Sequence, residues 1–317
     1  MSTLLVSQPN FESHVTPSGH AERAERIRAV EQALSQPRFN KLQRKEAVHA
    51  DLALAELVHG PQYLGLLRRA RPAEGIGRID EDTFISSGSL DVVATGMGGA
   101  LMALDEVLLG AADNAFCAIR PPGHHAERDR PMGFCLVNTI AVVAREAQRK
   151  YGAERVAIVD FDVHHGNGTQ DIFADDPSVF YASSHQMPLY PGTGAPYERG
   201  VGNIVNVALP PGSGGAEMRA GYEETIFPAL HDFAPDLLLI SAGFDADSRD
   251  PLAQLNWGPL DFAWLTGRLM DFAGQRCENR IVSLLEGGYD RAGLAEGAAA
   301  HVAMLLDGTL DDAGREF

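Results

Sequence analysis

The 317-residue chain is 45% hydrophobic, enough for the core of one large α/β domain or two small ones. Its 26 basic and 43 acidic residues give a formal net charge of −17, which excludes broad electrostatic attraction to nucleic acid while tolerating cationic substrates. No apolar run approaches the roughly 20 residues of a membrane-spanning helix, and the N-terminus lacks the basic flank and apolar core of a signal peptide, so no membrane partner is expected.

After the breaker Pro17-Ser18-Gly19, residues 21–34 set Ala24, Ile27, Val30 and Leu34 at helical spacing, a stripe that reads as core. Asp80-Glu81-Asp82 reads as a solvated turn. A second helix is expected from about Leu90 to Leu109. The Gly96-Met97-Gly98-Gly99 within it lies inside a helix, not between a strand and a helix, so it implies close packing and not a nucleotide loop. Strand-like runs follow at 115–119, 155–161, 179–183, 204–209, 237–242 and 281–285, with helical stretches between them. The glycine-rich 210–215 has neither the lysine nor the adjacent hydroxyl of a phosphate loop and reads as a surface turn; Met132 reads as packing. This alternation predicts a parallel sheet covered by helices, and the absence of a linker or internal repeat predicts one domain over 1–317. Cys117, Cys135 and Cys277 are odd in number, widely separated and in no CxxC pair, which argues for a reducing compartment, with cytoplasm the default.

The chemistry gathers where these strands end. Val159 to Gln170 reads VDFDVHHGNGTQ, and strand alternation sends Asp160, Asp162 and His164 to one side. A carboxylate and an imidazole two residues apart can face one ion, and such an N/O set suits Zn²⁺. By itself an Asp-x-His pair is more often a hydrogen-bonded strand end. Here, however, His124 and His125 follow AFCAIRPPG, Asp245 follows LLLISAGF and Tyr289 follows IVSLLEGG. The C-terminal ends of parallel strands form one rim where ligands bind, so these separated segments can build a single site.

Residues 120–126 (RPPGHHA), 133–135 (GFC), 160–170 (DFDVHHGNGTQ), 190–194 (YPGTG), 241–245 (SAGFD) and 286–289 (EGGY) stand in an order that resembles the zinc-dependent histone deacetylase family, closest to its class II-like and bacterial amidohydrolase members. The likeness runs from His20-Ala21-Glu22-Arg23 to roughly Gly297. It implies an arginase/deacetylase-like α/β domain with a central eight-stranded parallel sheet flanked by helices. It also implies zinc on Asp162, His164 and Asp245, with a fourth position left for water or a carbonyl. His125 is implied as the base that later protonates the leaving amine, with His124 as electrostatic support and Asp160 holding its ring. Asn167 stands where class I members carry aspartate, and an amide orients His125 without raising its basicity as a carboxylate would. Tyr289 is implied as donor to the developing oxyanion, a sensible aid where two carboxylates weaken the metal as a Lewis acid.

The resemblance further implies a substrate channel of Gly133, Phe134 and Tyr190 with Leu252 at its rim, and a polar rim residue near Asp82. Leu252 departs from the glutamate that polyamine-preferring relatives can carry. Potassium is implied beside the zinc at Asp160, Asp162, His164 and Ser183, and at a second position near Phe173, Asp176 and Val179. His185 reads as a supporting residue, and Arg23 and Arg26 either as neighbours of the site or as structural or solvated arginines. The expected function is zinc-dependent deacylation of acyl-lysine in a peptide or protein, or of a related acylated amine, with release of acetate. The alternatives are an acetylpolyamine or small-molecule amide deacetylase, and a non-catalytic acyl-lysine binder. A two-metal arginase-type site would need further carboxylates, for which only Asp160 and Asp247 are spare.

Overall fold

In a computed structural model that describes residues 1–308, eight strands form one parallel sheet. The elements run β1 (Thr3–Ser7), α1 (Glu25–Leu34), β2 (Gln43–Glu46), α2 (Tyr63–Ala70), β3 (Ile76–Arg78), β4 (Phe84–Ser86), α3 (Ser89–Leu108), β5 (Asn114–Ala118), α4 (Thr139–Tyr151), β6 (Val156–Asp160), α5 (Asn167–Phe173), β7 (Val179–Gln186), β8 (Ile204–Leu209), α6 (Gly215–Gly221), α7 (Phe227–Phe233), β9 (Leu237–Ala242), α8 (Pro259–Arg276), β10 (Ile281–Leu285) and α9 (Arg291–Asp307). The order across the sheet is β2-β1-β5-β10-β9-β6-β7-β8, and β3 and β4 form a separate antiparallel hairpin. The one-domain expectation over 1–317 extends past the described residues at 309–317.

Every residue of β5, β6, β9 and β10 is buried, because helices cover both faces of a parallel sheet. Alternation divides each strand between two cores. Ala157 and Val159 of β6, Phe116 and Ala118 of β5, and Leu238 and Ile240 of β9 pack with α1, α8 and α9 on one face. Val156 and Ile158, Ala115 and Cys117, and Leu237 and Leu239 pack with α3 and α4 on the other. Within α3, a Cβ on Gly98 would overlap the Val48 carbonyl and one on Gly99 would come within 2.7 Å of the Ala47 Cβ. Those glycines serve packing.

The helix expected over 21–34 starts at Glu25. The Glu22 carbonyl accepts from Thr16 Oγ1 (2.7 Å) and is met by His20 Nδ1 (2.9 Å), while the Glu22 carboxylate takes both arms of Arg120 at 2.6–2.8 Å. Tertiary bonds therefore fix the segment before the first turn. Ile27, Val30 and Leu34 are fully buried as the stripe requires. The central strands β5, β10, β9 and β6 lie side by side, with Leu284 opposite Cys117, Leu285 opposite Ala242 and Asp160 opposite Ser241. Their C-terminal ends thus come together at one rim.

Candidate active site

Asp162, His164 and Asp245 meet at that rim, each buried, with one potential ligand atom from each lying within 4.8 Å of the others. His164 Nδ1 is 3.1 Å from Asp162 Oδ1 and 3.2 Å from Asp245 Oδ2. Main-chain N–H groups hold the carboxylates in place. Gly287 donates to Asp162 Oδ2 (2.8 Å), His164 to Asp162 Oδ1 (2.9 Å) and Val163 to Asp245 Oδ1 (2.9 Å). The glycines of SAGFD and EGGY have a local reason, since a Cβ on Gly243 would strike Asp162 and one on Gly287 both carboxylates.

Burial pushes Asp245 up to about 7, and the neighbouring Asp162 charge adds to the effect. Burial opposes the charge of His164, but the Asp162 and Asp245 hydrogen bonds outweigh it and hold the ring at about 10. Two buried carboxylates around one imidazole thus call for positive charge. An N/O donor set of this size and burial fits a divalent ion such as zinc, with the His164 Nδ1 facing the carboxylates as a ligand atom.

His124 and His125 follow β5 through Arg120 and a cis peptide before Pro121. The rings lie 4.0 Å apart and differ in partners. His124 Nδ1 is 3.0 Å from Asp160 Oδ2, which also accepts from the Tyr181 hydroxyl at 3.0 Å. Burial disfavours its charge, yet Asp162 and Asp160 together lift it to about 10. His125 Nδ1 lies 2.7 Å from Asn167 Oδ1, and the Asn167 amide nitrogen donates to Glu127 Oε1 at 2.6 Å. That second bond turns the Asn167 oxygen towards His125, so Nδ1 carries the proton and Nε2 is left as acceptor. Burial, with the charges of His124 and His164, holds His125 well below the usual imidazole value.

A cavity of about 330 Å³ opens over these groups, lined by Asp82, His125, Gly133, Phe134, His164, Leu189, Tyr190, Leu252 and Tyr289. All four expected channel residues border it. Gly133 (φ 57°) and Phe134 (φ 67°) are both left-handed, and a Cβ on Gly133 would come within 2.5 Å of the His125 ring. The Phe134 ring stands edge-on to Tyr289 at 5.6 Å, and that of Tyr190 edge-on to His125 at 5.2 Å. Tyr190 and Leu252 are partly exposed at the mouth. Asp82 sits in the hairpin turn between β3 and β4, where Thr83 Oγ1 accepts from the Phe134 N–H at 3.1 Å.

Among the other candidates, Arg26 is buried, with its guanidinium 5.0 Å from the Tyr289 ring centre and donating to the Gly288 carbonyl (2.7 Å) and the Glu286 carbonyl. Arg23 is only half-buried and does not line the cavity. His185 bridges Ser183 Oγ (2.9 Å) and the Gly194 carbonyl (3.0 Å), steadying the loop that carries Tyr190. Ser183 pairs in register with Asp160. The carbonyls of Phe173, Asp176 and Val179 are taken up by the Asn203 side chain. Asp247 is engaged by both arms of Arg249, at 2.7 and 2.8 Å, so it is no second metal ligand.

Sequence reasoning gave no role to two residues of the site. Buried Glu286 accepts from Gly123 N–H (2.7 Å) and His124 N–H (3.2 Å), and burial lifts it to about 7. Its signal was a carboxylate directly after an apolar strand, as with Asp160. Asp250 ties together two residues that line the cavity, accepting from Leu252 N–H at 2.9 Å and Tyr289 N–H at 2.7 Å. A loop carboxylate gave no such signal.

Residues 20–305 match the histone deacetylase domain. The chain is 38% identical over 300 residues to a probable deacetylase of Archaeoglobus fulgidus, covering 92% of this chain and 83% of that protein. It is 38% identical over 281 residues to a histone deacetylase-like amidohydrolase of Pseudomonas aeruginosa, covering 87% and 74%. The crystal structure of the HDA15 HD domain superposes with a TM-score of 0.89 at 32% identity, covering 99% of this chain and 92% of that one.

Proposed function

Because this chain belongs to the histone deacetylase family and is a hydrolytic deacetylase, we propose that it hydrolyses the amide of an acylated lysine or related acylated amine at a zinc ion held by Asp162, His164 and Asp245. The observation that carries this reading is the buried Asp/His/Asp cluster at the floor of a channel whose wall holds a neutral imidazole and a phenol. Zinc in that position supplies Lewis acidity towards the amide carbonyl and lowers the pKa of a water. The side chains do the rest. His125 Nε2 takes the proton of the attacking water and returns it to the leaving nitrogen as the C–N bond breaks, giving a carboxylic acid and a free amine. The Asn167 bond keeps that nitrogen free, and the charged His124, fixed by Asp160, offsets the negative charge that builds beside it. The Tyr289 phenol donates to the carbonyl oxygen as it becomes an oxyanion.

An acyl-lysine presents an apolar stem ending in an amide, which suits walls of Phe134 and Tyr190 with Gly133 admitting close backbone approach. Leucine at position 252 supports acyl-lysine over polyamines, and Asp82 is the group at the mouth able to accept from a substrate backbone or amine. The side-by-side Asp160 and Ser183 support potassium near the zinc. Three buried, unpaired cysteines support a reducing, cytoplasmic setting.

The test compares the zinc-loaded protein and Tyr289→Phe on an acetyl-lysine peptide and on N-acetylated polyamines, scoring acetate. Turnover should fall about 10²- to 10³-fold in the variant, as when an oxyanion donor is lost, and the peptide should be the better substrate. Equal turnover by the two proteins would remove Tyr289 from the mechanism, and preference for polyamines would transfer the substrate class.

A further inference from the structure

The end of α5 and the start of β7 close around one side-chain nitrogen. Asn203 is 4% exposed, and its Nδ2 lies 2.8 Å from the Phe173 carbonyl oxygen, 2.9 Å from that of Asp176 and 2.8 Å from that of Val179. Both of its oxygens are also engaged, Oδ1 by the Val201 N–H (3.2 Å) and the main-chain oxygen by the Tyr181 N–H (2.9 Å). A primary amide has two protons to offer, and here it meets three oxygens at nearly one distance. Converging carbonyl lone pairs of that kind are how a protein holds a hard cation. These are also the residues at which the family resemblance implied a second potassium ion. The Asp176 carboxylate does not complete such a shell, because it is bound by Arg145, the Ser178 hydroxyl and the Ser178 N–H.

We infer that the Asn203 amide takes the place of that ion, so that the turn from 173 to 179 is tied to β8 by a covalently attached donor and needs no monovalent cation. A bound ion stabilises in proportion to the logarithm of its concentration, whereas a side chain is always present at its site. The order of this turn is therefore independent of potassium. This inference stands apart from the proposed chemistry, since it concerns neither the zinc cluster nor the channel.

The test is anomalous scattering from crystals soaked in rubidium chloride, paired with thermal melting in potassium chloride and in choline chloride. In the unaltered protein no rubidium peak should lie among the three carbonyls. Asn203→Ala should acquire one, and should gain a potassium-dependent rise in Tm larger than that of the unaltered protein by roughly 3 °C or more. Taking the difference between the two proteins cancels any ion held elsewhere, including beside Asp160. A rubidium peak among these carbonyls in the unaltered protein would overturn the inference. So would an Asn203→Ala variant that folds, binds no rubidium and gains no response. Should that variant fold only with potassium the inference stands, and should it fold in neither salt the rubidium map of the unaltered protein decides alone.

Discussion

Asp245 illustrates how a residue's role is set by its neighbours' charge. Replacing it by asparagine keeps the Oδ1 that accepts from Val163 N–H, so the fold should persist, but removes one of the two anionic groups proposed to hold the zinc. Zinc affinity of Asp245→Asn should therefore fall by more than the roughly 10- to 100-fold that loss of an outer hydrogen-bond partner costs. Titration against a competing chelator reads this directly, with the melting curve of the chelated protein as the control for folding. Unchanged affinity would mean that Asp245 is not a ligand. At the same scale, burial and the charges of His124 and His164 keep His125 neutral while Asp162 and Asp160 keep the adjacent His124 charged, with no difference in the histidines themselves.

Among the elements, α3 carries a choice between two opposing effects. Glycine inside a helix ordinarily costs roughly 1 kcal/mol relative to alanine, so Gly98→Ala would stabilise an isolated helix. Its added methyl would overlap the Val48 carbonyl, a backbone atom with little freedom to retreat. Overpacking of this kind costs about 1–3 kcal/mol, so steric conflict wins and the variant should lower the free energy of unfolding in urea. A variant more stable than the parent would show that the segment at Val48 yields. The strands differ in how clearly their sequences announce them. β5, β6, β9 and β10 are continuous apolar runs because both faces are covered, whereas β2 reads Gln-Arg-Lys-Glu, each residue exposed, since an edge strand is protected by charge.

For the whole molecule, stability against acid is set partly by buried histidines outside the Asp162/His164/Asp245 cluster. His59 Nδ1 faces the Glu127 carbonyl at 2.9 Å and Nε2 accepts from the Asn138 N–H at 3.0 Å, so its neutral form holds the cap of α4. Burial lowers it from 6.5 to about 4, and burial lowers His301 to about 3. Folded values below the unfolded one mean that the unfolded chain binds the extra protons, so stability is lost as pH falls from about 6.5 towards 4. Glu22, buried but paired with Arg120, lies well below its usual value, and its contribution is lost only at still lower pH. Asp245 and Glu286, both lifted to about 7, act in the opposite sense over the same window, so the histidine term is read as a difference: from pH 6.5 to 4 the Tm of the chelated protein should change less favourably than that of His59→Gln. Parallel profiles would assign the loss elsewhere.

By itself the sequence determined the six apolar strands, their alternation with helices and the polar groups at their ends, because burial on both faces demands uninterrupted hydrophobic runs. The motif order carried the Asp162/His164/Asp245 cluster, the paired histidines and Tyr289, because each motif couples a strand to the side chain at its end. Only the tertiary structure decided what depends on partners distant in the chain. It paired Glu22 with Arg120, which delays α1 to Glu25, and Glu286 with Gly123 and His124, which anchors the histidine loop. It turned Asp247 towards Arg249 and set Asn203 among three carbonyls. A carboxylate or an amide has the same letter whether it meets an ion, an arginine or the backbone, and the field that selects among them exists only once the strands have assembled.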